Sequence, residues 1–192
     1  MFKKLSYALG VLIFGLSFLF VGKAFSALET QLVADTSPNS DNVAYLQTQW
    51  YGFTATGGKG YSVTLAPTSG NANLYLFDTS FSLVGYSANT GTTADKVWYG
   101  QSSSGPMHIA AYGLYNLSSN FTIQLTTAPY VKTITPTSGG AGTLVTLTGY
   151  GFGSARGTSY VQFGTIQAIN YSSWTNTEIK VYVPSGCGNG VL

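Results

Sequence analysis

The sequence predicts an all-β protein with two β-sandwiches in tandem after an N-terminal signal peptide. Short stretches of alternating apolar and polar residues recur from Gln49 onward, which is the pattern of half-buried strands. Turns rich in glycine, serine, asparagine and proline separate these stretches. After the leader, no segment shows a long apolar period of 3.6 residues, so helices are not expected.

Residues 1–26 have the layout of a secretory signal peptide. Two lysines precede an apolar run over 5–22, and Ala24 and Ser26 follow at small-x-small spacing. We expect cleavage after Ser26, with Ala27 as the second choice, and therefore a protein that is secreted or lies at a bacterial cell surface or in the periplasm. The alternative is an uncleaved anchor, because about 18 apolar residues begin to suffice for a membrane span.

The mature chain is expected to be nearly neutral. The whole sequence has eight Lys and Arg against six Asp and Glu, and three of the eight basic residues lie in the leader. This balance offers no cationic face for phosphates, which excludes nucleic acid as a partner. Cys187 is the only cysteine, so no intrachain disulfide can form and each domain depends on its apolar core.

The first sandwich is predicted over 44–128, after an N-terminal linker or first strand over 27–43. Seven or eight short strands are expected, among them "QWYGFTA", "YSVTLA", "NLYLFD", "LVGYS", "KVWYG", "MHIAAYG" and "FTIQLTT". Their number and spacing favour a jelly-roll-like sandwich.

A second and smaller sandwich is predicted over 129–192. Pro129 interrupts strand pairing, and a new series of strands begins with "VKTIT" and "TLVTLTGY". The final "GNGVL" resembles the opening of a further strand, so we expect an Ig-like sandwich that lacks its last strand. Such an edge would be unpaired, which predicts either a fragment of a longer protein or a partner strand from elsewhere.

The glycine-rich stretch "PTSGGAGTLVTLTGYGFG" (136–153) raises the question of a nucleotide loop. A dinucleotide loop needs a helix directly after it, to place its N-terminus against the pyrophosphate. Here "SARGTSYVQFG" follows, which is a turn and another strand. We therefore predict that these glycines form corners between strands, with Phe152 in the core.

The first domain resembles the bacterial pre-peptidase C-terminal family. The resemblance is carried by Gly58–Tyr61, Asn73–Leu76 and Ile109–Gly113, in the family's order, within roughly Gln47 to Thr126. It implies a non-catalytic sandwich appended to secreted hydrolases, in a family where some members bind calcium or polymeric substrates. Calcium is the one cofactor that it implies, with candidate ligands at Asn73, Asp78 and Asp95. Asn73 stands where the family usually has Asp, which weakens that set.

The second domain resembles the IPT/TIG family. "VKTITPTSGGAGTLVTLTGYGFG" reproduces the family's Ile-x-Pro-x-x-Gly and Gly-x-x-Val-Thr-Leu-x-Gly order, and "VQFG" and "WTNTEIKVYVP" follow. The resemblance covers Pro129 to Leu192. It implies an Ig-like module of the kind found in surface receptors, polysaccharide-active enzymes and some transcription factors.

No catalytic constellation is apparent in the sequence, so we expect no enzyme within this chain. His108 is the only histidine and has no nearby acid in sequence. No serine lies in a Gly-x-Ser-x-Gly elbow, and no His or Cys cluster has zinc spacing. Cys187 has no basic neighbour to lower its pKa, which favours a turn residue over a reactive thiol.

Aromatic residues are in surplus and give the candidate binding residues. Tyr86, Trp98, Tyr112 and Tyr115 are expected on a solvent face, where flat rings suit sugar rings or a protein surface. The alternative is the ordinary preference of aromatics for strands. We therefore predict a non-catalytic secreted or cell-surface module for adhesion, spacing or binding of an extracellular polysaccharide or matrix protein. The alternative is the N-terminal accessory region of a longer exported hydrolase, either a peptidase or a polysaccharide-active enzyme.

Overall fold

The computed structural model describes residues 29–114, 118–187 and 190–191. The leader and Tyr115 lie outside the described residues. Within these residues the chain forms strands, turns and bends without a helix, so the all-β prediction is confirmed. It follows that none of the described segments is a helix of the length and apolarity that a membrane crossing requires.

The strands of the first sandwich are short and end at turns. They are β1 (Thr30–Gln31), β2 (Asn39–Val43), β3 (Thr48–Ala55), β4 (Gly60–Pro67), β5 (Asn71–Phe77), β6 (Leu83–Ser87), β7 (Asp95–Gly100), β8 (Gly105–Leu114) and β9 (Ser119–Thr127).

The strands of the second sandwich are shorter still. They are β10 (Tyr130–Thr135), β11 (Ser138–Gly139), β12 (Leu144–Tyr150), β13 (Gln162–Phe163), β14 (Ile166–Gln167), β15 (Tyr171–Trp174), β16 (Glu178–Tyr182) and β17 (Gly190–Val191).

The first sandwich packs a five-stranded sheet against a four-stranded sheet. The five-stranded sheet has the order β1-β3-β8-β5-β6 and the four-stranded sheet the order β2-β9-β4-β7. Leu74 and Leu76 of β5 and Val63 and Leu65 of β4 are fully buried, because alternate residues of each strand face the other sheet. The described part of the N-terminal segment, 29–43, supplies one short strand to each sheet, and so it joins the two layers.

The second sandwich has a four-stranded sheet, β10-β12-β16-β15, with two short ribbons, β11-β17 and β13-β14. Its core contains Val145, Ile179 and Val181 together with Phe152, which is buried as expected. Gly151 and Gly153 flank Phe152 with φ of 76° and 86°, a conformation that side chains with a Cβ rarely adopt. The glycine-rich stretch is therefore a corner between strands, and no helix follows it.

The two sandwiches are in direct contact. Only Ala128 and Pro129 separate β9 from β10. The Gly151 amide donates to the Gly58 carbonyl at 3.2 Å, and Asn176 Nδ2 donates to the same carbonyl at 2.8 Å. At Gly60 a Cβ would collide with the Ala128 carbonyl and approach the Tyr130 amide to 2.9 Å, so this contact requires glycine.

Candidate functional site

The outer face of the four-stranded sheet carries mostly polar side chains in register, one of which, Lys96, is charged. Trp98 of β7 lies opposite Ser62 of β4, and Ser62 lies opposite Thr126 of β9. One step along, Thr64 of β4 lies between Lys96 of β7 and Gln124 of β9. Directly paired residues point to the same side of an antiparallel sheet, so these side chains form one surface, which we call the outer polar face.

Trp98 is the dominant apolar group of the outer polar face. Side chains alternate between the two sides of β7, so Val97 points into the core and is buried. Trp98 therefore points outward, and it is 51% exposed. Lys96 Nζ lies 5.1 Å from the centroid of the indole ring. The ammonium group and the indole therefore form a cation–π contact, which favours this position of the ring at the edge of the sheet.

Hydrogen bonds order the polar side chains of this face. Ser62 Oγ and Thr126 Oγ1 are 2.7 Å apart, and Gln124 Nε2 donates to the Thr36 carbonyl at 2.9 Å. The hydroxyl and amide groups therefore have fixed positions on the strands, and the side chains of Thr64 and Gln124 remain partly exposed.

The outer polar face ends where the second sandwich begins. Gly100 follows Trp98 on the same side of β7, and its Cβ position would lie 2.7 Å from Tyr150 Cδ2 and 2.9 Å from Tyr130 Cδ1. Tyr150 therefore covers the strand at a distance of two residues from Trp98. The ring of Tyr150 therefore marks the boundary between the outer polar face and the second domain, and we call this boundary the Tyr150 step.

A cavity of about 300 Å³ lies at the junction of the two domains. Lys59, Thr127, Gly151 and Asn176 are among its lining residues. Asn176 is already engaged, since it donates to the Gly58 carbonyl and accepts from the Gly153 amide at 3.2 Å. The junction cavity is therefore lined by backbone groups and by the cationic side chain of Lys59. The Asn176 amide is not free, because its hydrogen bonds join the two domains.

Asp35 lies beside this junction and binds Thr127. Its carboxylate accepts from the Thr127 amide at 2.9 Å and from Thr127 Oγ1 at 2.7 Å. These hydrogen bonds, with a smaller contribution from the charge of Lys59, hold the pKa of Asp35 below its ordinary value. The end of β9 is thus fixed directly before the linker.

The other candidate aromatics do not join Trp98. Tyr86 is 60% exposed, but it lies on β6 of the five-stranded sheet, where it stacks on Tyr75 with ring centroids 6.3 Å apart. Tyr112, expected on a solvent face, is buried; it lies on β8, which is flanked by β3 and β5. Burial raises the pKa of its phenol. Tyr115 lies outside the described residues.

Two of the three candidate calcium ligands, Asp78 and Asn73, lie at separate places. Asp78 caps the turn after β5 by accepting from the amides of Ser80 and Ser82 at 2.8 and 2.9 Å. Asn73 is five residues earlier on that strand, about 16 Å away at the rise of a β-strand. Among the described residues, no group of three or more His, Cys, Asp or Glu side chains could hold a metal ion.

Asp95, the third candidate, is buried and points inward from β7 on the same side as Val97. One carboxylate oxygen accepts from Ser87 Oγ at 2.6 Å and from the Asn89 amide at 2.8 Å, while Oδ2 is buried without a partner. Burial raises the pKa of this carboxyl, although both hydrogen bonds lower it. Asp95 therefore fixes the β6–β7 connection from the core side, through its hydrogen bonds to Ser87 and Asn89.

His108 has an acid partner that the sequence did not reveal. Glu29 Oε1 lies 2.7 Å from His108 Nδ1, and both side chains are almost completely buried. Phe81 stacks on the imidazole with ring centroids 4.0 Å apart. Gly52 makes room for the carboxylate, since a Cβ there would lie 2.5 Å from Glu29 Oε2. The pair fastens the segment before β1 to the outer side of β8.

Comparison with known proteins assigns the second domain. Residues 129–191 match the IPT/TIG domain. The recognition of this module is therefore confirmed over one third of the chain.

The curated relatives that the chain matches are much longer proteins. The chain is 39% identical over 62 residues to a cyclomaltodextrin glucanotransferase from Bacillus licheniformis, covering 32% of this chain and 9% of that protein. It is 39% identical over 59 residues to a cyclomaltodextrin glucanotransferase from Niallia circulans, covering 31% and 8%. The chain thus spans less than a tenth of the length of the curated relatives it matches.

Two solved structures are similar to this chain. One is the pre-peptidase C-terminal domain of collagenase from Bacillus anthracis, with 12% identity, a TM-score of 0.40, and coverage of 50% of this chain and 95% of that chain. The other is PliG, a periplasmic inhibitor of g-type lysozyme from Aeromonas hydrophila, with 16% identity, a TM-score of 0.41, and coverage of 52% and 96%. Of the predicted order, the place of the IPT/TIG domain after the first sandwich is the part that the family match confirms.

Proposed function

We propose that this chain is a non-catalytic accessory module of an exported protein, in which two β-sandwiches are held in a fixed relation. The observation that carries the proposal is the direct contact between the domains. A linker of two residues, the backbone hydrogen bond from Gly151 to Gly58, and the Asn176 bridge leave the junction little freedom.

The placement of the acidic and basic groups supports a non-catalytic role. Asp78 caps a turn, Asp95 closes a connection in the core, and Glu29 fastens the N-terminal segment through His108. Each of these groups has a structural partner, whereas a general acid or base must reach a bound substrate. The matched IPT/TIG module fits an accessory role as well.

A second candidate is the accessory region of a longer exported enzyme that acts on glucans. The relatives that favour it are cyclomaltodextrin glucanotransferases, of which the match covers less than a tenth. Under this proposal the catalytic domain is encoded after residue 192. An open reading frame that continues into such a domain supports it, and a stop codon directly after Leu192 rules it out.

The non-catalytic role is tested with the purified chain from residue 27 onward. Glucan and peptide substrates are incubated with it, and release of reducing ends or amines is followed beside a blank without protein. We expect no turnover above the blank. Turnover that is lost in a His108→Ala variant with native circular dichroism would contradict the proposal.

A further inference from the structure

We propose that the outer polar face binds an uncharged polysaccharide, with Trp98 as the ring on which a sugar stacks. This inference rests on the proposed accessory role and deepens it, because it assigns a surface and a class of ligand. Three properties of the face carry it: its aromatic group, its polar pattern and its charge.

The aromatic group has the chemistry that a pyranose ring needs. One side of a sugar ring presents C–H groups, which pack on a flat apolar surface, while its hydroxyls project from the rim. The indole of Trp98 offers a large apolar area together with an N–H donor, and about half of its surface is open to solvent. The cation of Lys96 steadies this ring.

The polar pattern places groups that donate and accept hydrogen bonds on the strands to one side of the indole, because β7 is the edge strand of its sheet. Thr64, Gln124 and Thr126 are partly exposed on β4 and β9, which are about 4.8 Å apart. Ser62 is buried between Trp98 and Thr126, and its hydroxyl supports that of Thr126 from below. Hydroxyl and amide groups at this spacing match the ring of hydroxyls on a sugar. Because the groups are carried by paired strands, little side-chain order has to be gained on binding.

The charge of the face favours an uncharged polymer over an anionic one. Among the outward positions paired along β2, β9, β4 and β7, Lys96 is the only charged residue, and its ammonium group lies at the Trp98 ring. An anionic polymer would require a row of cations for its charges. The Tyr150 step closes one end of the face, so a chain is expected to lie across the strands beside that step.

The test compares Trp98→Ala with Tyr86→Ala, a matched variant that removes a similarly exposed ring from the other sheet. The chain from residue 27 is run in native gels that contain soluble starch, xylan, hydroxyethyl cellulose or glycol chitin, with heparin and alginate as anionic controls. We expect retardation by at least one uncharged polysaccharide. We expect Trp98→Ala to weaken that affinity about tenfold or more, and Tyr86→Ala to leave it within about twofold.

Thr64→Arg gives a second test of the same face, because it covers the polar groups and leaves the Trp98 ring in place. It should also abolish retardation. Binding that survives both Trp98→Ala and Thr64→Arg would overturn the inference, as would binding of anionic polymers alone, of a matrix protein such as collagen through Trp98, or of no polysaccharide at all. None of these outcomes affects the turnover assay, so the two proposals fail independently.

Discussion

Three buried ionisable residues, Asp95, Glu29 and His108, link segments of the first sandwich by hydrogen bonds. Asp95 is enclosed by the β6–β7 connection, and one of its oxygens has no partner. Glu29 and His108 are enclosed beneath Phe81. Both acids therefore carry a desolvation cost that depends on pH.

The titration of Asp95 should lower the free energy of unfolding as the pH rises. Burial raises its pKa in the folded state, so the protonated form is favoured there. Its contribution is fully present below the ordinary value of 3.8 and is lost as pH rises through the raised value. Asp95→Asn keeps an acceptor for Ser87 and Asn89 and removes the titration.

Urea unfolding at pH 3.5 and pH 7 checks this prediction. We expect the stability of the Asn variant, relative to the unaltered chain, to be greater at pH 7 than at pH 3.5. An equal difference at the two pH values would show that Asp95 does not titrate in this range.

Removal of His108 should be costly at neutral pH. His108→Ala leaves the buried Glu29 carboxylate without its hydrogen bond, and breaking a buried pair costs about 3 kcal/mol. Glu29→Gln retains an amide that can bond to the imidazole and serves as the control with a smaller loss. The free energies of unfolding in urea give the comparison, and equal losses for the two variants would contradict this account.

At the scale of elements, the alternation of apolar and polar residues predicted most of the strands. It did not predict which of their outward-facing side chains are buried by other parts of the chain. The inward positions of β4 and β5 follow directly from the pattern in "YSVTLA" and "NLYLFD". Tyr112 was misjudged because alternation gives the side of the strand and does not show whether that side is covered. The pairing of Glu29 with His108 joins residues 79 positions apart, which no local pattern reveals.

Strand order was the other property beyond reach of the sequence. Tyr86 and Trp98 lie on adjacent predicted strands, yet β6 belongs to the five-stranded sheet and β7 to the four-stranded sheet. The two rings therefore face opposite sides of the sandwich. The candidate site accordingly reduces to Trp98 together with polar residues of β4 and β9 that carried no sequence signal.

The domain junction should depend on Asn176. Asn176→Ala removes two hydrogen bonds to the backbone, at Gly58 and Gly153, and each such bond contributes about 1 kcal/mol. We expect the free energy of unfolding to fall by about 1–2 kcal/mol. Asn42→Ala, at an exposed position on β2, is the matched control, and an equal effect of both changes in urea titrations would contradict the role of Asn176.

At the scale of the whole molecule, the proposed function requires the two sandwiches to act as one body. Their cores are separate, with one cluster around Leu65 and Leu76 and the other around Val145 and Val181. What joins them is the short linker and the contact of Gly58 and Gly60 with the second domain. A fixed junction keeps Tyr150 beside the outer polar face, and so the proposed binding surface requires both domains.

Small-angle X-ray scattering of the chain from residue 27 onward tests this fixed arrangement most directly, with Gly60→Ala as the variant that separates the domains. We predict that the unaltered chain gives a scattering curve that fits this single arrangement. In Gly60→Ala, the Cβ collides with the Ala128 carbonyl, so the radius of gyration should increase. An unaltered chain whose curve fits only an ensemble of domain orientations, and which Gly60→Ala does not change, would contradict the account.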